Sequence, residues 1–337
     1  MADTRILTRR TLLGAAVASA ALVVAKAPFA SAKPATAAVP LHSRIVVGFA
    51  AGGGIDVLAR VLAERIGPQL GPKHHVIVEN KPGANGQIAA SQLLAAPADG
   101  ATYLLAPLIT PVLSQLVYRK PGYDPAQDFT PVGLVAHFQF ALAVPANHPA
   151  RTARELIAWF KANPDKANFG SPAAGSLPHF FGLLLGDAAG VEIVHAAYKG
   201  GPGLLSDLAG GQISSAITTS AELLQLHREG KIRILATFGE QRKNDLPDVP
   251  TFAELGYPGA VGSGWYSLWA KKGTPPEAVA AFSRALNATL ADPAVKAKLD
   301  EMALEPDPRT PEALEQLRVA EIEKWRPVIA TSGFRAD

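Results

Sequence analysis

The amino-acid sequence predicts an α/β protein of two lobes, each a mostly parallel sheet flanked by helices. Three observations support this class. Short β-branched runs alternate with segments of helical spacing, the pattern of parallel sheets covered by helices. This alternation occurs twice along the chain, and a mostly helical segment follows it. A chain of 337 residues is also long enough for two domains.

The first α/β unit has three predicted strands and two predicted helices, at 44–49, 75–79 and 102–106, and at 57–66 and 88–96. The second has strands at 140–144, 167–170, 192–197, 213–218 and 233–237, with helices at 152–162, 177–189, 202–209 and 220–229. Thr251 and Glu254 have the spacing of a capping box, which predicts a short helix there. The helical tail is predicted at 277–290, 293–302 and 311–331.

The order of these elements predicts a discontinuous first lobe. The chain builds this lobe, crosses into the second near Phe140 and returns near Trp265. We therefore assign residues 43–139 and 264–337 to lobe 1, and residues 140–263 to lobe 2.

The N-terminus has the pattern of an export signal. Arg9 and Arg10 precede an uncharged stretch at 12–25, and small residues suited to cleavage follow at 30–32 and 35–37. The paired arginines favour twin-arginine export, with residues 1–32 as the signal. The alternative is a transmembrane anchor, but the apolar run is shorter than the ~20 residues that span a bilayer. We expect an exported, soluble protein.

Charge and cysteine content exclude several classes of function. The chain has 32 basic and 29 acidic residues, and removal of residues 1–32 leaves a formally neutral protein. The net charge therefore does not indicate nucleic-acid binding. Cysteine is absent, which excludes a lipid anchor on cysteine, thiol catalysis and thiolate metal sites.

A glycine turn, Gly52-Gly53-Gly54, follows the first strand and opens the first helix. Such a turn exposes unpaired N–H groups at the positive end of the helix dipole, and an anion can approach its main chain closely. Val57 stands where a dinucleotide fingerprint needs a glycine, and the lysine of a P-loop is missing. The alternative is a tight turn without a ligand.

A second turn, from Gly170 through Ser171 and Gly175 to Ser176, lies at the corresponding place in the second unit. Two such turns would face each other across a cleft at the carboxyl ends of the strands, where α/β folds bind ligands. The two serines add hydroxyl donors suited to a carboxylate, although Ser176 also fits a simple helix cap. The sequence therefore predicts an anion site between the lobes.

Motifs for catalysis and metal binding are missing. Gly262-Ser263-Gly264 lacks the spacing of a nucleophile elbow, and there is no H-E-x-x-H motif. His74 and His75 fit a surface loop better than a metal site, and His195 fits a structural histidine better than a base. We therefore predict no enzyme activity, no cofactor and no bound metal.

Eight short motifs occur along the mature sequence: FAAGGGID at 49–56, VENKPGANG at 78–86, ADG at 98–100, NFGS at 168–171, YKGG at 198–201, LAGGQ at 208–212, DVPT at 248–251 and GTP at 273–275. In this order they resemble the Bug-type periplasmic solute receptors of tripartite tricarboxylate transporters, over nearly all of the mature chain. The resemblance implies a type II periplasmic-binding-protein fold whose lobes close on a small carboxylate. It also implies delivery of that ligand, by a monomer, to the membrane subunits of a transporter.

The resemblance further implies that both turns hold one carboxylate, largely through main-chain N–H groups and bridging waters. More variable residues at the other end of the solute set the specificity. The ligand-binding residues implied on this chain are Phe49, Ala51, Gly52, Gly53, Gly54, Ile55, Asp56, Ser171, Ala173, Ala174, Gly175, Ser176, His179, Tyr198, Thr218, Thr219 and Trp265.

The chain departs from the family pattern at three places. Ile55 stands where a threonine or serine is common, and Ser214 replaces an aspartate. Residues 218–220, Thr-Thr-Ser, stand where an acidic residue often lies, which argues against a ligand with an amino-acid-like cationic end.

The ligand and the downstream partner stay open at this level. Phe138, Phe140 and Trp265 would suit an aromatic acid if they lined the cleft, but aromatic residues near strands more often belong to the core. A ligand-sensing partner of a membrane signalling protein would need the same cleft. A periplasmic enzyme on the same scaffold is the weaker alternative, with His179 and Asp56 as its candidate groups.

Overall fold

The computed structural model describes residues 39–336. The predicted export signal, its twin-arginine motif and its cleavage sites therefore lie outside the described residues. Within the described part of the chain, no helix is both long and apolar enough to cross a membrane.

Residues 39–336 contain eleven strands and eleven α-helices. The strands are β1 His42–Val47, β2 His75–Asn80, β3 Thr102–Pro107, β4 Phe129–Phe138, β5 Phe140–Pro145, β6 Asn168–Ser171, β7 Val194–Ala197, β8 Ala216–Thr219, β9 Ile232–Thr237, β10 Gly264–Lys271 and β11 Glu305–Pro306. The helices are α1 Gly54–Leu70, α2 Gln87–Ala95, α3 Ser114–Val117, α4 Pro125–Asp128, α5 Ala153–Ala162, α6 Leu177–Ala189, α7 Gly201–Ala209, α8 Ser220–Arg228, α9 Pro276–Ala291, α10 Pro293–Glu301 and α11 Pro311–Ser332.

These strands form two sheets flanked by helices, so the predicted α/β class is confirmed. The six-stranded sheet has the order β11-β4-β10-β3-β1-β2, and the five-stranded sheet has the order β7-β6-β8-β5-β9. Strands β1 to β3 and β6 to β8 pair in parallel, as predicted. Strands β4, β5, β9, β10 and β11 add antiparallel pairs, so the sheets are mixed and the prediction of mostly parallel sheets is wrong.

Strands β4 and β10 lie side by side in the larger sheet, and neither is predicted from the sequence. Pro131 and Gly133 interrupt β4, and such residues normally argue against a sheet strand. Gly133 has a packing reason, because a Cβ there would lie 2.9 Å from Leu286 and 3.2 Å from the Arg309 carbonyl oxygen. Both strands are largely buried, and β10 contributes Trp265 and Trp269 to the core.

The chain passes between the sheets at two places, and the first of them borders the candidate site. Gln139 alone separates β4 from β5, and residues 238–263 connect β9 to β10. The Gln139 carbonyl accepts from the Ser220 amide at 2.9 Å, and the Phe238 carbonyl accepts from the Gly262 amide at 2.7 Å. The first bond ties the start of α8 to the crossover, and the second joins the two ends of the second connection.

The capping box at Thr251 and Glu254 forms, but it does not start a helix. The Thr251 amide donates to Glu254 Oε2 at 2.8 Å, and the Glu254 amide donates to Thr251 Oγ1 at 3.2 Å. The chain then continues as turns, so the predicted helix is wrong. Gly256, which has a φ of +90°, follows within this segment and favours a turn over a helix.

Candidate functional site

A cavity of about 350 Å³ contains the first glycine turn. This volume is within the range of small-molecule sites. The wall also includes the carboxyl end of β8 and the beginning of α8, so the ends of strands from both sheets meet here. The lining residues are Gly52, Gly54, Val57, Phe138, Gln139, Thr219, Ser220, Ala221, Glu222, Tyr266, Met302, Ala303 and Leu304.

The first turn presents unpaired main-chain donors. Gly53 is the N-cap of α1, and the helix has no side-chain cap. No acceptor among residues 39–336 pairs with the amides of Gly54, Ile55 or Asp56. These three N–H groups lie at the positive end of a 17-residue helix, which is an arrangement that attracts anions.

The turn itself is exposed, and its shape requires glycine at one position. Ala51, Gly52, Gly53 and Gly54 are exposed, whereas Ile55 is 6% exposed and belongs to the core. Gly52 has a φ of +82°, which disfavours a side chain, and the Gly53 amide approaches the Ala50 carbonyl at 3.4 Å. The replacement of a common hydroxyl residue by Ile55 is therefore a change in the core face of the helix.

Asp56 holds the turn in place. Its carboxylate, 2% exposed, accepts from the Gly52 amide at 2.8 Å, from Asn80 Nδ2 at 2.9 Å and from Arg60 Nε at 3.0 Å. The bond from Arg60 is the main reason that the pKa of Asp56 falls to about 2. Asn80 also donates to the Phe49 carbonyl at 3.1 Å. The side chain of Asp56 is thus committed to the turn, and its amide is the group left for a ligand.

The second turn uses its hydroxyl groups internally. Ser171 Oγ lies 3.0 Å from the Ala173 carbonyl and 2.7 Å from His195 Nε2, and Ser176 Oγ donates to the same carbonyl at 2.6 Å. Ser176 is the N-cap residue of α6, as predicted, but its hydroxyl makes no cap bond to the helix. Ala174 is exposed and Ser171 is fully buried.

His179 and His195 pack together and contact the second turn through hydrogen bonds. Their rings stack at 3.9 Å, and His179 Nδ1 accepts from the Gly175 amide at 3.1 Å. Burial lowers the pKa of both imidazoles to about 4, and the neighbouring charge of His195 adds to the effect on His179. Both rings are therefore neutral at neutral pH.

Of the remaining predicted residues, some line the cavity and others lie outside its wall. Thr219 lines it, and Thr218, just before it, is fully buried. Tyr198 donates from its hydroxyl to Asp207 Oδ2 at 2.7 Å, and burial raises its pKa to about 12. Trp265 is fully buried in the core and is not a lining residue, whereas Phe138 lines the cavity and stacks on Tyr266 at 4.7 Å.

The structure therefore brings together one part of the predicted site. Gly52, Gly54 and Thr219 share the cavity, and residues 171–176 are not in its wall. The role of the second turn in ligand binding stays a prediction. Glu222 is not among the residues predicted from the sequence, although its spacing from Thr219 is that of a capping box and is the one local signal that points to it. Residues 302–304 carry no such local pattern.

A second cavity, of about 370 Å³, lies beside the crossover and shares Gln139 with the first. In its wall, His137 Nε2 lies 2.8 Å from Asp307 Oδ2, and His137 Nδ1 lies 3.2 Å from Ser263 Oγ. A hydrolase triad makes these contacts through the opposite ring nitrogens. Arg309 also pairs with Asp307 at 2.7 Å, and neither predicted turn borders this cavity. We therefore take the first cavity as the candidate site.

No group of three or more histidine, aspartate or glutamate side chains within residues 39–336 is arranged to hold a metal ion. His74 Nε2 lies 3.1 Å from the Val39 carbonyl oxygen, and His75 stacks on His42 at 5.7 Å.

Comparison with known proteins gives consistent matches over most of the chain. BugT of Bordetella pertussis is 32% identical over 293 residues, covering 87% of this chain and 89% of that protein. A Cupriavidus necator protein of the UPF0065 group is 34% identical over 321 residues, covering 95% and 96% of the two chains.

Solved structures match equally well. An R. palustris protein solved with adipate has a TM-score of 0.78 at 34% identity, covering 87% of this chain and 98% of that one. MatC from Rhodopseudomonas palustris, solved with bound malate, has a TM-score of 0.74 at 29% identity, covering 86% and 98%. The periplasmic binding protein BugD has a TM-score of 0.75 at 32% identity, covering 88% and 98%.

The family model described as tripartite tricarboxylate transporter family receptor matches residues 58–334. The resemblance drawn from the eight sequence motifs is therefore confirmed. The chain belongs to the family of receptors of tripartite tricarboxylate transporters.

Proposed function

We propose that this protein is a periplasmic receptor that binds a small carboxylate in the cavity at the first glycine turn and delivers it to the membrane subunits of a tripartite transporter. The observation that carries this proposal is the set of three unpaired amides at Gly54, Ile55 and Asp56, at the start of α1 and next to a cavity. A carboxylate oxygen accepts such bonds at no cost in reorganisation, because Asp56 already fixes the turn.

Two relatives support a carboxylate as the ligand class. The structurally similar proteins described above were solved with adipate and with malate, which are both small acids. The cavity of about 350 Å³ has room for a molecule of that size.

The second lobe has a part in this proposal. The amides of Leu177 and His179 have no acceptor among residues 39–336, and they lie at the start of α6 directly after the second turn. Closure of the lobes about the two connections, at Gln139 and at residues 238–263, brings these donors to the anion already held by α1. In this account residues 43–139 and 264–337 move as one lobe against residues 140–263.

The proposal includes the cellular setting. The twin-arginine segment at 9–10 directs export, cleavage follows within residues 30–37, and the mature receptor acts in the periplasm as a soluble monomer without a lipid anchor. It binds its ligand without changing it chemically.

A thermal-shift panel tests the proposal directly. Mono-, di- and tricarboxylates are added to the mature protein, together with their amides as uncharged controls. At least one acid should bind in the micromolar range, about −8 kcal/mol, and at 1,000 times its Kd it should stabilise the fold by about 4 kcal/mol. Native mass spectrometry of freshly purified protein identifies any acid that co-purifies. A protein that no carboxylate stabilises, or that its matched amides stabilise equally, would contradict the proposal.

A further inference from the structure

The candidate cavity has an uneven charge. Glu222 is the only charged side chain among the described residues that line it; the other lining residues are glycine, apolar, hydroxyl or amide residues. The positive potential in the wall comes from the main-chain N–H groups at the starts of α1 and α8, and the negative charge comes from this one carboxylate.

Neighbouring residues hold the Glu222 carboxylate in one orientation. Oε2 accepts hydrogen bonds from the hydroxyl of the fully buried Thr218 and, at 3.2 Å, from the hydroxyl of Thr219. Oε1 lies beside Gly201, where an added Cβ would come within 2.8 Å of it. A glycine at 201 thus leaves the space that the carboxylate occupies.

The charge of Glu222 reaches the apolar part of the cavity. Tyr266 lines the same cavity, and burial, followed by the charge of Glu222, raises the pKa of its hydroxyl above the usual range. Tyr266 in turn stacks on Phe138 at 4.7 Å. The carboxylate, the phenol and the Phe138 ring are therefore parts of one wall.

We propose that Glu222 determines specificity by pairing with a protonated amine of the ligand, so that the bound molecule is an amino acid with its carboxylate at the α1 turn and its ammonium group at Glu222. Glu222 lies two residues after Ser220 and supplies the acidic group whose absence from residues 218–220 argued against such a ligand. This inference rests on the proposed function, because it takes the carboxylate at the turn as given. A second carboxylate at this end of the ligand would meet a fixed negative charge, with no basic side chain among the lining residues to offset it. An ammonium group would instead form a charge-assisted hydrogen bond with the same oxygens.

Calorimetry with ligands matched in length distinguishes a ligand that carries an ammonium group at Glu222 from one that lacks it. The pairs are 4-aminobutanoate with succinate, 6-aminohexanoate with adipate, and aspartate with malate. We expect the native protein to bind at least one amino member at least tenfold more tightly than its partner that lacks the amine. Glu222→Gln keeps the capping-box residue type but removes the charge, and it should reduce this preference at least tenfold.

Two further variants make the test specific. Glu229→Gln makes the same change just beyond the end of the same helix, away from the cavity, and should leave the preference unchanged. Gly201→Ala keeps the charge but displaces Oε1, so it should lower amine affinity by a smaller factor.

The possible failures are distinct. If the native protein prefers the members that lack the amine, or if Glu222→Gln leaves the ratio unchanged, the inference is overturned while carboxylate binding, and with it the proposed function, stands. If neither member of any pair binds, both the inference and the proposed function fail.

Discussion

Introducing an acidic side chain at Gly54 should abolish ligand binding while keeping or improving stability. Gly54 is the first residue of α1, its φ is not positive, and an added Cβ would meet nothing within 4 Å. Gly54→Asp should therefore fit the fold. Replacing glycine in a helix and placing an acid at its N-terminus together should add about 1 kcal/mol to the free energy of unfolding.

The same carboxylate would compete for the three amides at the start of α1. Two unit charges about 4 Å apart at an effective dielectric constant near 20 repel by about 4 kcal/mol, which is roughly a thousandfold loss of affinity. Isothermal calorimetry with the tightest-binding acid of the panel measures this loss, and thermal unfolding measures the stability.

Gly259→Asp is the matched control for that experiment. Gly259 also has open space at its Cβ and no positive φ, and it does not line the cavity. The control should bind with unchanged affinity. If Gly54→Asp folds and binds within about twofold of the native protein, the α1 turn does not hold the carboxylate and the reasoning is refuted.

Three further predictions concern the elements that hold the two turns. Asp56→Asn should lower the free energy of unfolding by about 1–2 kcal/mol at pH 7. The native pKa of Asp56 is about 2, below the unfolded value of 3.8, so the native protein should lose this contribution as the pH falls from about 4 to 2. Urea titrations should show this loss in the native protein and not in the variant. Burial lowers the pKa of His179 and His195 to about 4 from 6.5, so the stability that the two neutral rings contribute above pH 6.5 should be lost as the pH falls from 6.5 to 4. Unfolding at pH 5 should therefore take up protons, and His195→Gln should roughly halve this uptake. Unfolding at pH 5 without proton uptake would contradict this prediction. Gly175→Ala should lower the free energy of unfolding by about 2–3 kcal/mol, since the φ of Gly175 is +72° and a Cβ there would lie 2.5 Å from Phe334. Phe334→Ala should recover only the part of this loss that comes from the steric clash. Additive effects in the double mutant would show that the two residues do not interact.

The first turn could be predicted from the sequence because its determinants are local. Three glycines between a buried strand and an amphipathic helix define a run of exposed amides without any knowledge of the rest of the fold. Asp56, four residues after Gly52, then closes the turn through a contact within the same segment. Equally local periodicity predicts the helix at 177–189 with its observed boundaries, and predicts the helix at 220–229 one residue longer than the observed 220–228.

The composition of the cavity could not be predicted because it depends on tertiary contacts. Phe138, Tyr266 and residues 302–304 come from three distant parts of the chain and meet only after the two sheets are in place. Strand β4 was missed because Pro131 and Gly133 interrupt its pattern, and the reason for Gly133 is the close approach of Leu286.

The second turn shows the other limit of sequence reasoning. The sequence suggests the hydroxyls of Ser171 and Ser176 as ligand donors, but both contact the Ala173 carbonyl of their own turn. Short polar side chains in turns commonly bond to nearby main chain, and the sequence does not distinguish this use from ligand binding.

A crystal structure of the mature protein with its co-purified or tightest-binding acid tests the central claim most directly. Its carboxylate should accept hydrogen bonds from the amides of Gly54, Ile55 and Asp56, either directly at about 2.7–3.0 Å or through one ordered water. An acid bound elsewhere, with those three amides facing bulk solvent, would contradict the account.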